Sequence, residues 1–453
     1  MNDNKNIKLH KSIELYGAIL LLSIGLAFSI ARGFSWVIVI ICSLVTVSFL
    51  YKAFGLDELS IKLSDLIIFL ALFSGPPRPR SRDPLASFRG ELDLVIIIYI
   101  FVWLLGAIWI VLHFISQMKT RKGHVHLDAV QWLAITFNIS ILLSALVSPV
   151  VLLSAFRGLQ ITILLFFCYF YVNKYGISGT VRSLNYSYFL IGLAIVLSAL
   201  FAPDLVYVDG RLRGDYIAST GYVGVIGLIL TLTSSPTRYR FFNFLLSVMY
   251  MWMLLASRTR AAYVAFILFT LMMILKAPQV FHRKTFRYLF YLAIPFIFVY
   301  GDQITGWLIR EPESISTLSD RTRIWNALLL QTMDFSPLLG MGYYSERLVT
   351  LDVNPGIGTA HGTPAMIIYG AGFLGFGLFV LLWLVTLYRS IKLWIASPND
   401  TIVFLLIMII LTTSIIGIVS EDMITASTTG FTFYLFLSLL PNISLYKNYL
   451  IQD

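Results

Sequence analysis

The residues "LVIIIYIFVWLLGAIWIVLHFIS", 94 to 116, form a run of twenty-three without a single formal charge. Coiled as a helix, such a run spans the roughly 30 Å of hydrocarbon in a bilayer. It does not alternate apolar with polar residues, as the wall of a membrane barrel does. Comparable blocks recur along all 453 residues, which are 58% hydrophobic and only 12% charged. A soluble chain carries about twice that share of charge. The expected fold class is therefore an all-α polytopic membrane protein.

About fourteen spans are expected (12–14), near 13–31, 35–51, 61–75, 93–116, 128–148, 150–172, 185–202, 218–234, 241–257, 260–276, 288–301, 362–388, 401–419 and 428–445. The third is short, because "DLIIFLALFSG" runs into "PPRPR". No linker separates a second domain, so residues 1–453 read as one integral membrane unit. The first apolar run lacks a cleavage site, and no cleavable signal peptide is expected. Cys42 and Cys168 both fall in apolar blocks, which argues against a disulfide or a metal site. The net charge of +10 is what juxtamembrane loops facing anionic lipid carry, and points to the bilayer, not nucleic acid, as partner.

Basic residues set the orientation. With both termini cytoplasmic, all 12 lysines fall on the inner side, while 14 of the 21 arginines lie outside or in the outer half of a span. Arginine is permanently charged and presents a planar fork of donors that fits phosphate oxygens in pairs. An outer face with arginine and no lysine hints at a phosphate-bearing ligand, although arginine also snorkels well to lipid headgroups.

That outer face gathers "DGRLRGDYIASTGY" at 209–222, "SRTRAAY" at 257–263, a loop from about 302 to 360, and His361. Of six histidines, His361 alone faces out. A neutral imidazole is the natural proton acceptor near pH 7, and nearby cations keep it unprotonated. The arginines come in pairs, Arg258 with Arg260 and Arg321 with Arg323. Two residues apart on a helix is about 200°, so one member of each pair can face a shared pocket. Spacing does not choose between them. Ser319 or Asp320 is a suitable N-cap for a helix over "DRTRIWNALLLQ", whose positive end would favour an anion.

There is no nucleotide-binding GxxxxGK[ST] loop. Glu421 and Asp422 are adjacent and point apart, a poor metal site. Neither metal nor cofactor is expected; arginine would stabilise a leaving diphosphate. Arg157 and the cluster Arg78, Arg80, Arg82 and Arg89 have no assigned role.

From roughly 130 to 385 the chain resembles the O-antigen polymerase and O-antigen ligase superfamily of bacterial surface-polysaccharide enzymes. The likeness runs in order through "LLSALVSPVVLLSAFRGLQITILL", "GRLRGDYIASTGYVGVI", "SRTRAAYVAF", "SDRTRIW" and "GMGYYS" with "TAHGTPAMIIYGAGFLGFG". The resemblance implies a GT-C-like helical bundle with a large outer (periplasmic) loop near 302–360 over the active site. It selects Arg260, and Arg321 with Trp325. It also implies a metal-independent glycosyltransferase of the bacterial inner membrane acting on undecaprenyl-diphosphate-linked glycan.

On this expectation His361 is the general base and Arg260 and Arg321 carry the diphosphate. Arg211, Arg213, Arg258 and Arg323 assist, and Trp325, Tyr343 and Tyr344 stack on sugars. A chain-length regulator is a further expected partner. Where the family often has Asn after the histidine, this chain has Gly362. That departure and the extra N-terminal spans favour a polymerase of repeat units over a ligase to lipid A core. A lipid-linked glycan flippase is the more distant alternative.

Overall fold

The computed structural model describes residues 61–74, 94–119, 127–201, 203, 207–208, 211–212, 220–234, 240–276, 321–353, 360, 362–397, 400–419, 423–425 and 427–452. The expected spans at 13–31, 35–51 and 288–301 lie outside these residues, as do Arg78, Arg80, Arg82, Arg89, Arg213 and His361. Within the described residues the chain is almost entirely helical. In order the helices are α1 (Leu63–Ser74), α2 (Leu94–Lys119), α3 (Ala129–Ser144), α4 (Val151–Phe201), α5 (Thr220–Ser234), α6 (Arg240–Ser257), α7 (Arg260–Lys276), α8 (Arg321–Phe335), α9 (Glu346–Val353), α10 (Thr363–Ala396), α11 (Thr401–Val419) and α12 (Thr428–Gln452). One antiparallel ribbon, β1 (Tyr207–Val208) with β2 (Arg211–Leu212), pairs Tyr207 with Leu212 and Val208 with Arg211.

Among the described residues five helical segments are long and apolar enough to cross a membrane: Ile100–Met118, Ala129–Val147, Val151–Leu200, Thr363–Ala396 and Thr401–Ile418. Four shorter apolar helices accompany them: Leu63–Phe73, Thr220–Thr233, Asn243–Ser257 and Arg260–Met273. The chain is a helical membrane protein.

Two spans differ from expectation. Segments 150–172 and 185–202 are not separated by a loop but form one helix, α4, interrupted at Gly176 (φ 65°, ψ −173°). The polar stretch between them continues the helical ladder on both sides, and Thr180 Oγ1 donates back to the Gly176 carbonyl at 2.7 Å. Likewise α10 runs through its expected end at 388 to Ala396 and breaks inside, at Gly372 (φ 66°, ψ −171°).

Aromatic rings fill the space where α1, α2, α4 and α12 meet. Phe69 lies 4.7 Å from Tyr171 and 4.8 Å from Phe431, and Trp109 lies 4.7 Å from Phe167 (ring centroids). At one end of this packing is buried Asp65, which accepts from Trp109 Nε1 at 2.9 Å, from Lys174 Nζ at 2.5 Å and from the Tyr175 hydroxyl. One carboxylate thus ties α1 and α2 to α4, next to the Gly176 break. At the start of α3, Asp128 caps the helix by accepting from the Val130 amide at 2.6 Å, while the Gln131 side chain accepts from the Asp128 amide at 2.9 Å. The Asp128 carboxylate also pairs with Arg389. We call this the aspartate end. The opposite, arginine end carries the starts of α4, α7, α8 and α10.

Candidate functional site

The arginine end begins with a tight reversal between α6 and α7. Arg258 occupies the left-handed region at φ 49°, so it is a turn residue, and the helical spacing expected for Arg258 and Arg260 does not apply. Arg258 is exposed, whereas Arg260 opens α7 and is half-buried. The turn is held by the Tyr263 hydroxyl donating to the Leu255 carbonyl at 2.9 Å. Gly221, at the start of α5, packs against it so closely that a β-carbon there would come within 2.8 Å of Ser257 Oγ. The ribbon carrying Arg211 packs on α6 through β2, where Leu212 is buried. Its neighbour Tyr207 has its phenol pKa pushed up by burial.

Helix α8 starts at Arg321, as the sequence predicts. Arg321 and Trp325 lie four residues apart and so share a face. Trp325 is the latch. Its Nε1 donates to the Ala360 carbonyl at 2.7 Å, and a β-carbon on Gly362 would come within 2.8 Å of its ring and 3.1 Å of the Ile418 carbonyl. The Thr363 hydroxyl accepts from the Met423 amide at 2.9 Å. The backbone on both sides of position 361 is therefore gripped by α8 and by the end of α11. Because α7 packs along α11, the elements carrying Arg260 and Arg321 both flank that helix. Arg323, on the same helix as Arg321, is exposed.

A second cluster forms where the segment after α8 threads into the break of α10. The Met341 amide donates to the Tyr369 carbonyl at 2.6 Å, Phe373 to Pro337 at 2.9 Å and Leu374 to Leu338 at 3.2 Å. These bonds satisfy backbone groups that the Gly372 break would leave bare in an apolar setting. Any β-carbon at Gly372 would overlap the Leu338 carbonyl, so φ and space both require glycine. Gly342 (φ 91°) presses on Ser148 and Ser154, whose hydroxyls bond each other at 2.8 Å.

Tyr343 and Tyr344 are buried, not offered at a surface as sugar platforms. Tyr344 adopts φ 76°, uncommon for a side-chain-bearing residue. The Arg157 guanidinium lies 4.1 Å from the centre of its ring and that of Arg347 lies 4.5 Å away. Arg157 Nη1 also donates to Gln160 Oε1 at 3.0 Å, and Glu346 is buried in the same turn. The sequence gave no role to Arg157 and singled out neither Arg347 nor Glu346. The available signal was a charge inside a span together with "GMGYYSER".

Chemically, this end offers arginine donors beside a gripped backbone position that carries an imidazole. Among the described residues no group of three or more His, Cys, Asp or Glu side chains is placed to hold a metal ion. No protein-family model matches the chain, and no curated protein matches it.

Proposed function

We propose that this protein is a glycosyltransferase of the bacterial inner membrane that polymerises undecaprenyl-diphosphate-linked repeat units into O-antigen or a related surface polysaccharide. The N- and C-termini are cytoplasmic and the arginine end faces the periplasm. The observation that carries the reading is the Trp325 latch: it brings the helix of Arg321 to the backbone flanking His361. The donor diphosphate rests on Arg260 and Arg321, with Arg211, Arg213, Arg258 and Arg323 around it. His361 takes the proton from an acceptor hydroxyl as its oxygen bonds to the anomeric carbon. The bond from that carbon to the phosphate oxygen breaks, with inversion, and the lipid diphosphate leaves with the negative charge. Permanent cations placed where that charge develops are the effective stabilisers.

Close packing at Gly362 favours polymerase over ligase. The Asn that the ligase-like pattern has there would have to displace Trp325. A flippase reading draws on one observation, the broken helix α10, since interrupted helices line many transport sites.

The test is glycan synthesis by purified protein from a lipid-linked repeat unit, with His361→Ala beside wild type. The polymerase reading expects a ladder from wild type and none from the folded variant. Transfer only when lipid A core is added would make the protein a ligase. Lipid-linked glycan crossing vesicles without any elongation would make it a flippase.

A further inference from the structure

The geometry points to a second phosphate-binding subsite, built from Arg157 and Arg347 on the buried Tyr344 ring, which takes the diphosphate of a second lipid-linked glycan. This inference rests on the polymerase reading. It is separate from the Arg260 and Arg321 subsite because it is assembled by different elements: α4, the turn 340–345 and the start of α9. Arg157 lies six residues into α4, about 9 Å along the axis, and the Gly372 break lies nine residues into α10, about 14 Å. The cluster therefore lies at depth, among helices that cross a membrane. Charges and irregular backbone at such depth are costly and mark functional cavities or pathways.

Three features suit the cluster to an anion. Two guanidiniums stand around one ring, against a single carboxylate, Glu346, in the same turn. A guanidinium held over a ring by its carbon keeps its N–H fork at the periphery, where phosphate oxygens accept in pairs. The ring that organises both arginines is itself held in the left-handed region, with Gly340 and Gly342 at positive φ just before it. Strained backbone of this kind persists where the surroundings fix it and clusters at ligand clamps. A polymerase joins two lipid-linked chains and so must hold two diphosphates at once, whereas a ligase needs one. The acceptor's diphosphate is the occupant assigned here.

The test is native mass spectrometry of the full chain in detergent, with sugar-free undecaprenyl diphosphate as probe and phosphatidylglycerol as competitor. Wild type is expected to bind two probe molecules that equal phosphatidylglycerol does not displace. Arg347→Gln and Arg157→Gln should each weaken one of the two about tenfold or more, the usual scale for losing a charged hydrogen bond. Arg260→Gln should weaken the other. If Arg157→Gln does not fold, Arg347→Gln on the short helix α9 carries the test. One bound probe, lost in Arg260→Gln and unchanged in Arg347→Gln, would overturn the second subsite and leave the glycosyltransferase reading standing. Displacement of that second probe by phosphatidylglycerol would make the cluster a bulk-lipid headgroup site and also overturn it. No probe bound to wild type at all would overturn both readings.

Discussion

The two ends of this protein treat charge in opposite ways. At the aspartate end, Asp65 is buried and surrounded by three donors from two helices, and Asp128 both caps α3 and pairs with Arg389. At the arginine end, guanidiniums outnumber carboxylates and the backbone bends sharply. Of the six described residues with positive φ, five (Arg258, Gly340, Gly342, Tyr344 and Gly372) belong to it, and only Gly176 lies elsewhere. An end where charges are matched and helices run straight is built to hold the bundle together. An end with surplus cations and strained turns has spent stability on a binding surface.

The comparison can be broken first at Asp65. Asp65→Ala leaves Lys174 without its carboxylate and frees the Trp109 and Tyr175 donors, a loss of about 3–5 kcal/mol. Thermal unfolding in detergent should show it, while glycan transfer per folded molecule stays near wild type. A comparable loss of transfer would mean that the two ends are not functionally distinct. Gly372→Ala should cost about 3 kcal/mol or more, since it combines a strained φ with overlap on the Leu338 carbonyl. Here unfolding and transfer should fall together. Gly362→Asn should destabilise by about 1–3 kcal/mol through displacement of Trp325, with transfer falling more steeply than melting. The smallest stability effect is expected of Trp325→Phe, which keeps the ring and loses the bond to Ala360, about 0.5–1.5 kcal/mol. A transfer rate equal to wild type in that variant would remove the latch from the account.

Charge-free runs of about twenty residues made the membrane class and several helices legible in the sequence, because hydropathy is a local property. The start of α8 at Arg321 and the reversal at 257–260 were legible for the same reason. The break in α10 was not. "IIYGAGFLGFG" is as apolar as an unbroken span, and its Gly372 kink is stabilised by carbonyls of residues 337 and 338, more than thirty positions away. The continuity of α4 was hidden by the polar residues at 173–184, which read as a loop yet stay helical. Asp65 with Lys174, and Arg157 with Tyr344 and Arg347, are pairings across more than a hundred residues. Spacing within one segment cannot foretell them. Among the site residues, the sequence separated Trp325 by motif but gave it to a sugar; its indole instead grips the main chain.

The most direct test of the arginine end as the catalytic end is the rate of glycan transfer by Arg321→Gln, measured beside Arg323→Gln in purified protein of equal melting temperature. The account predicts a fall of about a hundredfold or more for Arg321→Gln, the scale for losing a preorganised charge stabiliser, and little change for exposed Arg323→Gln. Equal rates for Arg321→Gln and wild type would contradict it.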